Sequence, residues 1–241
     1  MESLTEEERK HDMNKNLYDA LMKHENYKVL QLSRQLELGP LHILTVHDDT
    51  VLHVAAYSKQ TDLVLLLLKQ LETLRFPGIP VDGLKHCNDL GNTILHEIAT
   101  SESVAAARVI LNRGPYLLGM RNKNGETALF RAVRYGKTVM FDFLDAQMNQ
   151  YFPANEREAA YYKFGGATVL HAAVHSENFG LALSIAKKYS NLVNERDADG
   201  MTTLQLLTCK QHAFGSGEKY GYIRRFIYNR NDLKFCTQIE R

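Results

Sequence analysis

"TVLHVAA", residues 50–56, places a histidine inside an apolar run. A single histidine in such a setting can ligate a metal, move a proton or fill a hydrogen-bonding position in a fold. The chain discriminates by repetition: the phrase returns as "TILHEIA" (93–99), "TALFRAV" (127–133), "TVLHAAV" (168–174) and "TTLQLLT" (202–208). His53, His96 and His171 therefore recur at one phase, while Phe130 and Gln205 occupy the same place in the other copies. A catalytic base is not needed three times. Helices stacked at about 8–10 Å also hold successive imidazoles too far apart to share a metal whose nitrogen ligands lie about 2 Å away. The histidines are expected to be structural.

Aligned on Thr50, Thr93, Thr127, Thr168 and Thr202, the copies are separated by 43, 34, 41 and 34 residues. Two intervals lie near a repeat period of about 33 residues, and the other two exceed it by about 8 to 10. The first excess falls in "LETLRFPGIPVDGLK" (71–85), where prolines and glycines break helix and predict an extended loop. The second falls in "NQYFPANEREAAYYKFGG" (149–166), where Pro153 ends one helix and "NEREAAYYK" is suited to a short extra one.

Within a unit the pattern predicts helix, turn, helix and hairpin. A threonine ahead of an apolar run is a helix N-cap, its hydroxyl accepting a free N–H of the first turn. The histidine three residues later is placed to bond back to it, like a capping box with imidazole in place of carboxylate. A second helix follows at "TDLVLLLLKQL" (61–71), "ESVAAARVILNRG" (102–114), "KTVMFDFLDAQMN" (137–149) and "ENFGLALSIAKKY" (177–189). Each carries one apolar stripe and needs a neighbour to cover it. "CNDLGNT" (87–93), "RNKNGET" (121–127) and "RDADGMT" (196–202) join the units, with glycine two places before the threonine where a turn requires positive φ. The first unit has "VHDDT", without that glycine.

The expected organisation is a disordered N-terminus (1–15), a degenerate capping helix pair (16–46), an array of about five repeats (47–232) and a C-terminal tail (233–241). Solenoids need such terminal covers. "KYGYIRRFIYNR" (219–230) reads as the second helix of the fifth unit, although its basic and aromatic residues also suit a lipid- or calmodulin-binding helix.

A formal charge of +1 gives the whole molecule no field to recruit a polyanion, so nucleic acid is not expected as a partner. Cys87, Cys209 and Cys236 are distant from one another and odd in number, which suits a reducing compartment, and the charged start "MESLTEEERKHD" is not a secretory leader. A cytoplasmic location is the expectation. "LVLLLL" (63–68) falls far short of the about 18 apolar residues of a membrane span. No P-loop, acyl-transfer elbow or HExxH pattern occurs, so no enzyme, metal or cofactor is expected. His42, His47, His86, His175 and His212 are scattered without ligand spacing.

"DLGNTILHEIA", "NKNGETALFRAV" and "DADGMTTLQLL" resemble the D-x-x-G-x-T-P-L-H-x-A pattern of ankyrin repeats. The Val or Ile in place of proline, the long insertions and "DGMTTLQLLTCKQHAFGSG" resemble plant ankyrin proteins with a C-terminal PGG membrane domain. The resemblance implies an all-α solenoid of stacked helix-turn-helix units acting as a protein-interaction scaffold, with members of the subgroup associated with stress and defence signalling. The chain contains neither a Pro-Gly-Gly motif nor a membrane segment. The alternative is therefore a regulatory cytosolic portion placed at the plasma membrane through an anchor or a partner.

Stacked repeats leave one concave face built from the hairpin tips and the short inner helices. By register, Tyr57, Ser58, Thr100, Ser101, Arg134, Tyr135, His175 and Ser176 should line it with the tip residues Asp89, Lys123 and Asp199. Tyrosine and arginine most often dominate interface binding, which singles out Tyr57, Arg134 and Tyr135. Thr50, His53, Thr93, His96, Thr127, Thr168, His171 and Thr202 are assigned to structure. Partner identity and oligomeric state have no signature in the sequence.

Overall fold

The computed structural model describes residues 6–73 and 83–210. Its helices are α1 (Glu6–Met22), α2 (Asn26–Ser33), α3 (Val51–Tyr57), α4 (Thr61–Thr73), α5 (Ile94–Ile98), α6 (Val104–Arg113), α7 (Ala128–Arg134), α8 (Thr138–Tyr151), α9 (Ala154–Arg157), α10 (Val169–His175), α11 (Phe179–Lys188) and α12 (Thr203–Thr208). Five short 3₁₀ turns lie between them, among them Pro115–Gly119 and Ser190–Asn194 after α6 and α11. Among the described residues the only β pairing is three isolated bridges, Ile43 with Thr50, Tyr162 with Thr168 and Arg196 with Thr202.

The short helices stack in one row, α3 on α5, α5 on α7, α7 on α10 and α10 on α12, and α4, α6 and α8 form a second row behind them. Alanine makes the inner row close-packed: Ala55, Ala99, Ala132 and Ala173 are fully buried. In the outer row the leucine run is split by helical period, with Leu63, Val64, Leu67 and Leu68 buried and Leu66 exposed. Each such side chain contributes about 1.5–3 kcal/mol when taken from water, and none could do so without the next unit over it.

Units 1, 3 and 4 turn between their helices through a left-handed residue, Lys59 (φ 60°), Gly136 (φ 67°) or Glu177 (φ 58°). His24 (φ 57°) makes the same turn between α1 and α2, and Glu25 N–H donates to Ala20 as Gln60 N–H does to Ala55. The first helix pair is thus built like a repeat.

Residues 6–15 are helical, which corrects the expectation of a disordered segment up to residue 15. Acidic residues at its start, "EEE", suit the positive end of the helix dipole, and Lys, Arg and Glu carry good intrinsic helix propensity. The segment is also tied down, because Asn14 Oδ1 lies 2.8 Å from His42 Nε2. The polar composition that suggested disorder reflects an exposed helix face.

Most of the loop at 71–85, the expected second helix at 219–230, His212 and the tail at 233–241 lie outside the described residues. The other insertion is described. Pro153 ends α8, α9 and a 3₁₀ turn follow, and Tyr161 delivers its hydroxyl to Asp145 of α8 at 2.5 Å. Asp145 is completely buried and also accepts from Tyr189 Oη (2.6 Å) and the Lys188 ammonium. Three donors satisfy one carboxylate and so join α8, the insertion and α11, while the carboxylate raises the Lys188 pKa through their hydrogen bond.

Candidate functional site

The face opposite the outer helices begins with the hairpin tips. Two residues before each N-cap threonine the backbone is left-handed, at Asp48 (φ 60°), Gly91 (φ 74°), Gly125 (φ 75°), Gly166 (φ 84°) and Gly200 (φ 73°). Aspartate tolerates that conformation better than most side chains, so the first unit forms the same turn without glycine. Five residues before the threonine a second device recurs. Thr45, Asn88, Asn122 and Asp197 each accept two backbone N–H bonds through one side-chain oxygen. These closures hold the tips rigid.

The N-cap geometry links consecutive units. Thr93 N–H donates to His96 Nδ1 at 3.1 Å, which fixes the proton on Nε2, and Nε2–H donates to the carbonyl of Glu126 at 3.0 Å. His171 repeats this with Thr168 (3.2 Å) and Met201 (3.1 Å). His53 accepts from the Thr50 hydroxyl at 2.7 Å and donates to Asn92 at 3.1 Å. Each imidazole thus joins its own helix start to the residue before the next unit's threonine. Burial lowers the His53 and His96 pKa values to about 4, overcoming the opposing backbone hydrogen bonds. Where Phe130 replaces the histidine, the Thr127 hydroxyl itself reaches the Ala160 carbonyl at 2.9 Å.

Tip-to-tip contact changes along the array. Asp89 N–H donates to His47 O (2.9 Å) and Lys123 N–H to Leu90 O (3.0 Å), joining the first three tips by backbone. Between tips three and four that bond is missing among the described residues. There Phe164 packs on Gly125, and the Arg121 guanidinium donates to the carbonyls of Gly125, Ala159 and Tyr162. Among the described residues tips four and five likewise share no backbone bond. A groove of about 580 Å³ opens at this place, lined by buried Phe130, His171 and Ala172 and by the charged Arg134, Lys163, Asp197 and Asp199.

Residues 52–150 match the family model of ankyrin repeats, in three copies. The fold is an ankyrin-repeat solenoid. No curated protein matches the chain. Beyond residue 150, units four and five carry the same threonine cap and left-handed turn as the matched ankyrin units, with His171 completing the capping box in unit four and Gln205 in unit five.

The expected partner-facing residues separate on this ankyrin scaffold. Tyr57 and Tyr135 are 42% and 51% exposed, and Asp89, Lys123, Arg134, His175 and Asp199 are exposed as well. Arg134, His175 and Asp199 meet in the groove. Ser101 is a correction, since it is 8% exposed and its hydroxyl donates to Ile98 O. The second unit lacks the left-handed turn residue of units 1, 3 and 4, and the chain folds back there, with Ser103 capping α6. The hydroxyls of Thr100 and Ser176, both half-buried, are also bonded to backbone carbonyls. Among the scattered histidines, His86 donates toward Asp48 O (2.7 Å) and His47 pairs with Asp89 (3.2 Å).

Sequence reasoning missed a buried polar ribbon beneath this face. Arg131 donates to His96 O (3.1 Å), Asn92 Oδ1 (3.4 Å) and Glu97 (3.3 Å), and stacks under the Tyr135 ring. Asn122 bridges Asn92 (2.9 Å) and Glu126 (3.2 Å), and Arg134 closes the row on Glu126 at 2.6 Å. Desolvation raises the Glu97 pKa although Arg131 opposes it. The only sequence signal was a polar residue just before the cap threonine in "GNT" and "GET". Among the described residues no group of three or more His, Cys, Asp or Glu is placed to hold a metal, and no helix is long and apolar enough to cross a membrane.

Proposed function

We propose that the protein is a non-enzymatic interaction scaffold that binds another protein on its concave face. Ankyrin repeats are protein-interaction modules. The observation that carries the reading to this face is the exposure of Tyr57 and Tyr135 at the C-terminal ends of α3 and α7, because large aromatics kept in water are the side chains that gain most on burial in an interface. Tyr57 is partly desolvated already, its hydroxyl pKa pushed up to about 12 by burial and by Tyr18.

The test is a photo-crosslinking residue introduced at Tyr135, with the convex-side Lys187 position as control. The trapped protein is then purified and titrated against the intact chain. Tyr57→Ala and Tyr135→Ala, titrated well below their own unfolding midpoints, should each weaken binding about tenfold or more. Equal trapping from both positions, or unchanged affinity in the tyrosine variants, would refute a concave binding face.

The narrower reading places the chain with the plant ankyrin proteins that carry a PGG membrane domain, as their cytosolic part in stress or defence signalling. Its support is the resemblance of "DGMTTLQLLTCKQHAFGSG" and of the two insertions. Sequencing the transcript past the codon for residue 241 tests it, a Pro-Gly-Gly motif followed by apolar segments being the expected result.

A further inference from the structure

We infer that the groove between units three and five takes an extended peptide segment bearing one acidic and one basic side chain, and reads their order. The inference rests on the concave-face reading above and specifies the chemistry of that partner. Its basis is the distribution of charge where the tips part. Toward units three and four, Arg134 spends one nitrogen on Glu126 and leaves its side chain 53% exposed, and Lys163 has no acidic partner among the described residues. Toward unit five, Asp197 and Asp199 of the last tip have no cationic partner among the described residues, although Asp197 Oδ1 is occupied by the backbone of its own turn.

Opposite charges that face one groove without pairing to each other form a complementary template for a segment carrying both signs. A purely acidic or purely basic segment would meet repulsion at one end. Small side chains at Ala167 and Ala172 in the lining let a peptide backbone approach there, and the volume falls in the range of small-ligand clefts. His175 lies in the groove with its pKa lowered by burial and by Lys210, so the cationic end at neutral pH consists of Arg134 and Lys163.

The experiment uses fluorescent eight-residue peptides on an Ala/Ser/Gly background, titrated against the full chain by anisotropy. One set carries Glu before Arg, one Arg before Glu, one two Glu and one two Arg, each at separations of two to five residues. One mixed order should bind saturably and about tenfold tighter than the other three sets. The double variant Lys163→Glu with Asp199→Lys changes two exposed or half-exposed positions, and it should transfer the preference to the opposite order with an unchanged circular-dichroism melt. Equal binding of like-charged peptides, no saturable binding, or a preference unmoved by the swap would overturn the inference. If peptides fail while the tyrosine variants still release the trapped protein, concave binding stands and this charge reading falls. If peptides bind with the expected order and the tyrosine variants have no effect, the groove survives and the wider face does not.

Discussion

The Nε2–H of His96 donates to the carbonyl of Glu126 at 3.0 Å, so the imidazole of one unit satisfies the residue that introduces the next unit's cap. The same ring accepts the Thr93 N–H at 3.1 Å. Two natural replacements in this chain divide those functions. Gln205 keeps the cap, accepting from Thr202 N–H at 2.9 Å, while Phe130 keeps only the volume.

His96→Gln should therefore preserve the helix start and lose the inter-unit bond, costing about 1–2 kcal/mol, whereas His96→Phe leaves two buried backbone groups unpaired and should cost about 2–4 kcal/mol. Urea unfolding of both variants checks the order. A phenylalanine variant as stable as the glutamine one would show that the ring acts through packing alone.

Acid should weaken the array through the same residues. His53 and His96 have folded pKa values of about 4 against an ordinary 6.5, so below pH 6.5 the unfolded chain binds more protons than the folded one. Stability is then complete above about pH 6.5 and falls as pH drops toward 4, by about 1.4 kcal/mol per pH unit for each ring. Glu97, with its raised pKa, works in the opposite direction at the acid end. Urea midpoints between pH 7.5 and 4.5 should decline, and His96→Gln should decline less steeply than the unsubstituted chain. A flat profile from pH 7 to 5 would exclude the two imidazoles as the acid-sensitive groups.

The sequence singles out Arg134 as a surface binding residue, and the structure also ties it to the fold. Its guanidinium is the only cation on the fully buried Glu126 carboxylate among the described residues, at 2.6 Å. Arg134→Ala leaves that charge with Asn122 alone and should destabilise by about 1–3 kcal/mol. Glu126→Gln made together with Arg134→Ala removes the stranded charge and should recover part of the loss, as a double-mutant cycle in urea would show. Simple addition of the two single effects would mean that the pair does not interact.

The array was legible because its devices are periodic: a threonine, an apolar run and a left-handed residue at fixed offsets are visible to alignment of the chain on itself. What lay outside that period was not legible. Asp145 draws its donors from positions 161, 188 and 189, which share no spacing, and the groove opens where the tip-to-tip bonds of the earlier units are missing among the described residues. Ser101 was misplaced for a related reason, since register was carried through a turn whose backbone differs in that one unit. Arg131 sits at an inner-helix position occupied by Val54, Glu97, Ala172 and Leu206 in the other units, so no residue type predicted a buried cation there.

Gly91 and Gly200 occupy the same turn position at φ 74° and 73°, yet their surroundings differ. A Cβ on Gly91 would stand 2.8 Å from the backbone nitrogen of Lys123, whose N–H holds the second and third tips together through Leu90 O. A Cβ on Gly200 would meet nothing within 4 Å. Both alanine substitutions pay the left-handed backbone term of about 1–2 kcal/mol, but only Gly91→Ala must also separate two tips and stretch their hydrogen bond. Gly91→Ala should accordingly lose more stability in urea than Gly200→Ala, by about 1 kcal/mol or more. Amide exchange at Lys123 should accelerate in the first variant and stay unchanged in the second. Equal losses, with Lys123 equally protected in both, would mean that close tip stacking contributes nothing beyond the turn conformation itself.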